Sequence, residues 1–225
     1  MPAADDRVLA VMMKAPRPGR VKTRLAAAHS PDRIVTLYRA LVEDTIELSR
    51  RVRVRAVGIC PDGDEEDIAE WLGREVEILP QNGVGLAAGL RSTFEQLCTD
   101  TCRRVIAFNA DSPHLPAATI ESAFAALPTA DIVVGPCDDG GYYLVGATRP
   151  HDGLFDAAAM GRESAYRALI AEAARQSLRV ALTAEHYDVD LPADLTRLAH
   201  DLAHDATRAT RTADVLRSWG MIAPR

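Results

Sequence analysis

Val8-Leu9-Ala10-Val11-Met12-Met13 runs directly into Lys14-Ala15-Pro16-Arg17-Pro18-Gly19-Arg20-Val21-Lys22-Thr23-Arg24-Leu25. The apolar run is too short for a helix, and Pro16, Pro18 and Gly19 stop it abruptly, so it reads as a first strand buried on both faces. From Pro31 to Arg51, Ile34, Val35, Leu37, Tyr38, Leu41, Val42, Ile46 and Leu48 recur at helical spacing, with Ser30 as N-cap and proline at the first position. Strand, basic loop, long helix is the first unit of an alternating pattern.

The pattern continues with a β-branched run at Val52–Cys60, an acidic helix at Glu65–Leu72 and a strand at Val76–Leu79. A helix at Gly85–Leu97, a strand at Val105–Asn109 and a helix at Ala117–Leu127 follow. Ile132–Gly135 and Tyr142–Val145 read as strands, Glu163–Arg175 as a helix and Leu178–Leu182 as a strand. Pro192–His204 reads as a helix continuing brokenly to Trp219. Strands alternating with helices imply an α/β fold of three layers around a mostly parallel sheet. Ligands of such sheets sit beyond the carboxyl ends of the strands, so the loops at 14–24, 80–85, 109–116, 136–141 and 186–192 are the places to search.

Composition narrows the class. Of 225 residues, 48% are apolar and 26% charged, an ordinary globular balance that excludes disorder, collagen and coiled coil. A length of 225 residues with no repeat and no low-complexity linker suggests one domain over 1–225. No apolar run approaches a membrane span, and the acidic start Met1–Arg7 lacks the layout of a signal peptide, so a cytoplasmic protein is expected. Cys60, Cys98, Cys102 and Cys137 contain no CxxC pair and read as reduced, mostly buried thiols, with Cys98 and Cys102 as core residues. The net charge of −6 argues against a partner in nucleic acid or an anionic membrane. Within that acidic chain, Lys14, Arg17, Arg20, Lys22 and Arg24 stand together with no acid among them, which points to a bound anion.

A loop that leaves a strand and enters a helix can offer backbone N–H groups to phosphate, with Lys and Arg adding charged hydrogen bonds. Gly19 alone does not make a dinucleotide fingerprint, and Lys22-Thr23 lacks the glycines of a P-loop. Asp111, at the end of the fourth strand in Asn109-Ala110-Asp111-Ser112-Pro113, is placed either to hold Mg²⁺ against a diphosphate or to shape the Ser-Pro turn. Asp188 and Asp190 share one side of an extended segment by period two; either could ligate the same cation, or both could be dipole-favoured acids at a helix start. Asp139-Gly140-Gly141-Tyr142 reads equally as a hairpin turn or as an acceptor site where backbone approaches a ligand. His114 is assigned to its turn rather than to acid–base work.

Taken together, KAPRPGRVKTRL, NADSPHLP, GPCDDGGYYLVG and DVDLPADL resemble the signatures of a bacterial GT-A family often labelled glycosyltransferase. More distantly they resemble 2-phospholactate guanylyltransferase and molybdenum cofactor guanylyltransferase. The likeness runs from about Val8 to Leu198 and implies a GT-A (nucleotide-diphospho-sugar transferase) fold. It implies nucleotide binding by Lys14, Gly19, Lys22, Arg24 and Gly85, with Lys22 and Asp111 at the chemistry. Asp111 and Asp190 would hold Mg²⁺ or Mn²⁺, and Asp190 precedes the matching Pro-x-Asp-Leu pattern at Pro192–Leu195. Asp139, Gly140, Gly141 and Tyr142 would place the acceptor or sugar. The chain departs from the pattern at Gly85–Gly89, which lacks a charged contact, and at Met160–Ser164.

Two reactions fit these residues: nucleotidyl transfer from an NTP to a small phosphorylated acceptor with release of pyrophosphate, and glycosyl transfer from a nucleotide sugar. Both need a cation at the diphosphate. The crowded cationic loop and a single aspartate in place of an Asp-x-Asp pair favour the first. A sensor of nucleotide or sugar phosphate would keep the basic loop without the carboxylates. A phosphatase with an Asp-x-Asp nucleophile after its first strand is excluded by Met13-Lys14.

Overall fold

The computed structural model describes residues 6–73, 75–100, 104–155, 158, 160 and 164–224. Seven strands form one sheet: β1 (Arg7–Met12), β2 (Arg55–Cys60), β3 (Glu77–Pro80), β4 (Arg104–Asn109), β5 (Ile132–Pro136), β6 (Tyr142–Ala147) and β7 (Val180–Leu182), in the order β3-β2-β1-β4-β6-β5-β7. Every pairing is parallel except those of β6, which runs against both β4 and β5.

Among the described residues the α-helices are α1 (Pro31–Val52), α2 (Glu65–Leu72), α3 (Leu86–Leu97), α4 (Ala117–Ala126), α5 (Ala165–Arg175), α6 (Pro192–His204) and α7 (Thr210–Ser218). Strand periodicity decides which layer each side chain joins. In β1, Leu9 and Val11 face a core shared with α1, α4, α6 and α7, whereas Val8 and Ala10 face a second core shared with α3 and α5. Ile106 and Phe108 of β4 follow the first pair, and Val105 and Ala107 the second. The sheet is thus covered on both sides, which is why its central strands are unbroken apolar runs rather than alternating ones.

The boundaries differ from the sequence reading where backbone geometry intervenes. Val52 belongs to α1, because Arg53 turns left-handed (φ 55°) to cap that helix before β2 begins. The last helical stretch is two helices, α6 and α7. Buried Asp44 of α1 caps the second of them, accepting from the Arg211 and Thr212 N–H groups at 3.2 and 2.8 Å. Cys60 and Cys137 are buried free thiols; Cys98 is only half-buried at the end of α3, and Cys102 lies outside the described residues. The expectations for Met1–Asp5, for the start of a helix at Glu163 and for 161–163 in the Met160–Ser164 segment also fall outside them. No helix among the described residues is long and apolar enough to cross a membrane.

Candidate functional site

Three segments meet beyond the carboxyl ends of the central strands. The first is the loop after β1. Its entry is fastened at two points: the Tyr38 hydroxyl accepts from the Lys14 N–H at 2.8 Å, and buried Asp64 accepts from the Ala15 N–H at 2.9 Å. Arg17 is bound to Asp64 and Asp67 at 2.5 and 2.6 Å, so it anchors the loop to α2 and does not face an anion. This corrects the picture of five cations gathered on one ligand. Lys14 and Arg20 are exposed, and Gly19 turns through φ 72°.

The second segment follows β4 and carries Asp111. The third, residues 186–190, is stitched between it and the β5–β6 turn. Val189 N–H donates to the Asp111 carbonyl at 3.2 Å and the buried Ser112 hydroxyl to the Tyr187 carbonyl at 3.2 Å. On its other side His186 N–H reaches the Pro136 carbonyl and Asp138 N–H the His186 carbonyl, at 3.1 and 3.0 Å. Asp194, in the first turn of α6, accepts from the N–H groups of Asp190 and Leu191 at 3.1 and 2.6 Å. That back-bond fixes Asp190 as the helix begins, and it gives the Pro-x-Asp-Leu pattern a physical purpose.

The result is a compact set of carboxylates around an ammonium. Asp111, Asp188 and Asp190 each present an oxygen within 4.8 Å of the others'. Lys22 Nζ lies 2.7 Å from Asp111 Oδ2 and 2.8 Å from Asp190 Oδ1, while Arg24 holds Asp190 Oδ2 at 2.8 Å. The Lys22 side chain is only 6% exposed and its backbone is left-handed at φ 44°. Burial works against the Lys22 charge, but Asp111 and Asp190 outweigh it and its pKa rises. Burial likewise opposes the Asp190 charge, yet Lys22 and Arg24 hold that carboxyl below its usual range. For Asp188, burial with the charges of Asp190 and Asp111 outweighs Lys22 and pushes the carboxyl up to about 7.

The β5–β6 turn adjoins this set. Asp139 and the thiol of Cys137 form a second close group with Asp188, again within 4.8 Å. Asp139 Oδ1 accepts from the Gly141 N–H at 2.8 Å, and Gly140 takes φ 87°, a conformation that a side chain would strain. The turn is therefore the hairpin that its composition suggested, and it also brings a carboxylate to the site. Tyr142 packs into the second core with its hydroxyl 3.5 Å from the Met160 sulfur. Gly85 precedes α3 with φ 88° at the same sheet edge. Beside it, Gly89 lies so near the Gln81 amide that a Cβ there would sit 2.5 Å from Oε1, and the same amide donates to the carbonyls of Gly83 and Gly85.

Lys22, Arg24, Asp111 and Asp190 thus come together as a unit, and Asp139 joins through Asp188. Sequence reasoning weighed Asp188 with Asp190 but carried only Asp190 forward; period two was the signal that pairs them. It missed Asp64, Asp194 and Tyr38, which shape the site through backbone groups. His114 is buried with both ring nitrogens unpartnered among the described residues, its ring tilted against Tyr187 with 4.3 Å between centroids.

Carboxylate oxygens at this spacing suit a hard divalent cation rather than zinc. The family model described as an uncharacterized protein conserved in bacteria, DUF2064, matches residues 45–162, just over half of the chain. The chain belongs to this family. It is 28% identical over 178 residues to a phosphoenolpyruvate guanylyltransferase of Sphaerobacter thermophilus, covering 79% of this chain and 86% of that protein. Among solved structures, a Desulfovibrio desulfuricans protein provisionally described as a nucleotide-diphospho-sugar transferase superposes with a TM-score of 0.88 at 27% identity, covering 96% of this chain and 95% of its own. Rv0371c of Mycobacterium tuberculosis, solved with manganese, shares the fold at a TM-score of 0.53 and 16% identity, over 85% of this chain and 96% of its own. The three-layer, mostly parallel sheet is of GT-A type.

Proposed function

We propose that this chain works over 1–225 as one transferase domain, and that it moves a nucleotidyl group from an NTP to a small phosphorylated acid, releasing pyrophosphate. The observation that carries the reading is a buried lysine held among three convergent carboxylates at the carboxyl edge of a GT-A sheet. Asp111, Asp188 and Asp190 would hold Mg²⁺ or Mn²⁺, which when bound neutralises phosphate charge and orients the diphosphate. The name of the Sphaerobacter relative, a guanylyltransferase acting on a phosphorylated acid, supports both donor and acceptor class.

Each protein group has a part that needs no covalent intermediate. An acceptor phosphate is already anionic near neutral pH, so one of its oxygens can attack the α-phosphorus without a general base. A new P–O bond forms as the bond to the bridging oxygen of the β-phosphate breaks, and the electron pair leaves with pyrophosphate. Lys22 and Arg24 would stabilise the charge accumulating there, as cations in a partly dry site. Lys14, Gly19 and Gly85 would border the nucleotide. Asp139, Gly140 and Gly141 would set the position of the acceptor, with Tyr142 anchoring their turn in the core.

Glycosyl transfer from a nucleotide sugar stands as a second reading, favoured by the description of the Desulfovibrio structure. The pairing of Arg17 with Asp64 and Asp67 removes one cation from the argument for a triphosphate, which brings the two readings closer. The protein should be incubated with Mg²⁺, each NTP, and phosphoenolpyruvate or 2-phospholactate, with GTP as the first donor, and in parallel with common NDP-sugars. Pyrophosphate released only when donor and acceptor are both present, and lost in Asp111→Ala, is the expected result. Turnover of nucleotide sugars alone would transfer the assignment to the second reading.

A further inference from the structure

We propose that Lys22 is an internal counter-ion that competes with the divalent cation, so that metal and nucleotide bind as one coupled event; the idea rests on reading Asp111, Asp188 and Asp190 as the cation's ligands. The argument is an accounting of oxygens. Asp190 has both oxygens engaged, Oδ1 by Lys22 and Oδ2 by Arg24, and Asp111 has Oδ2 engaged by Lys22. Of the three carboxylates, only Asp188 has no cation at ion-pair distance among the described residues. A divalent ion that recruits Asp190 must therefore share an oxygen with one of the two side chains, and one that bridges Asp190 and Asp111 sits against the Lys22 charge at both.

Where the displaced ammonium goes decides the coupling. It is buried, and leaving two carboxylates without another anion to meet would be costly. The phosphates of a nucleotide offer that destination, at the mouth of the same loop. The Lys22 ammonium would then pass from the acids to phosphate as the divalent cation takes its place. The backbone is suited to the move, since Lys22 sits in a left-handed conformation rare for a residue with a side chain, three positions after left-handed Gly19. Metal alone must evict a cation that has nowhere to go and so binds weakly; nucleotide removes the competitor. By linkage, metal must in turn strengthen nucleotide binding.

The experiment is a Mn²⁺ titration without nucleotide, following the free-ion electron paramagnetic resonance signal, on wild type, Lys22→Met, Arg24→Gln and Asp190→Asn, with thermal melts to establish folding. Lys22→Met should bind Mn²⁺ at least about tenfold more tightly than wild type, because the competitor for two buried carboxylates is gone. Arg24→Gln should tighten binding about threefold, since that pair is more exposed and correspondingly weaker. Binding that is lost in Asp190→Asn but no tighter in either cation variant would overturn the counter-ion role alone. Mn²⁺ binding absent from every protein, or unchanged in Asp190→Asn, would instead sink the ligand assignment and the inference with it. Should Lys22→Met fail to fold, Arg24→Gln decides, because its guanidinium side chain is 56% exposed and its loss leaves the core intact.

Discussion

Asp194 holds the backbone of Asp190 through the N–H groups of Asp190 and Leu191, at 3.1 and 2.6 Å, while Lys22 holds its side chain from 168 positions away. A carboxylate secured at both ends keeps its place when its partners change. Replacing Asp194 with alanine should cost about 0.5 to 2 kcal/mol of stability, the usual worth of a helix-start side chain. It should also weaken Mn²⁺ binding in the presence of nucleotide several-fold. Unaltered denaturant midpoint and metal affinity would show that Asp190 needs no such support.

Asp188 contributes the third oxygen of the cluster although Lys22 and Arg24 leave it unpaired. Asp188→Asn removes one negative charge from the candidate ligand set and keeps the shape. Mn²⁺ affinity should then fall by roughly tenfold or more, because affinity at oxygen sites follows ligand charge. An equal affinity in calorimetry would restrict the ligands to Asp111 and Asp190.

The first loop depends on Asp64. Asp64→Ala strands the Ala15 N–H and leaves Arg17 with Asp67 alone, and a buried donor left unmade costs about 1 to 3 kcal/mol. Part of that loss should appear as weaker nucleotide binding, with a dissociation constant raised about tenfold. Arg17→Gln, which keeps the Ala15 contact, should have a smaller effect. Equal losses in the two variants would place the anchor in Arg17.

His114 makes stability depend on pH. Burial lowers its pKa to about 4, against an unfolded value near 6.5, so the folded ring stays neutral where the unfolded chain takes up a proton. Its contribution is fully present above pH 6.5 and is lost as pH falls from 6.5 toward 4. Between pH 7 and pH 5 this amounts to about 2 kcal/mol. Urea unfolding across that range should show a steeper loss in wild type than in His114→Phe; parallel curves would remove His114 as the cause.

The strands and helices were legible because each depends on local periodicity. Val8–Met13, Val105–Asn109 and the Ser30-Pro31 helix start carry their signals within a few residues. The candidate ligands were legible in part, since Asp111, Asp188 and Asp190 lie at ends of predicted strands. What could not be read was pairing across the chain. Arg17 looked like a phosphate contact because no acid is near it in sequence, yet Asp64 and Asp67 meet it through the fold, some 47 to 50 positions on. Asp44, which no local pattern singles out, is a buried cap for α7. Charges that neighbour in sequence need not share a partner in space, and no periodicity records those that do.

The reversed strand β6 sets how the proposed acceptor side of this site can change. A parallel successor to β5 would need a long crossover over the sheet, free to grow or shrink. With β6 antiparallel, residues 137–141 close the connection, and they are bonded to Tyr166 N–H, to His186 and to one another. An inserted residue there would push Asp139 off Asp188 and slip the pairing of two strands at once. On the proposed reading, new acceptor chemistry has to arrive by exchanging side chains at Asp138 and Asp139. A library built to alter acceptor choice should randomise these two positions at constant length.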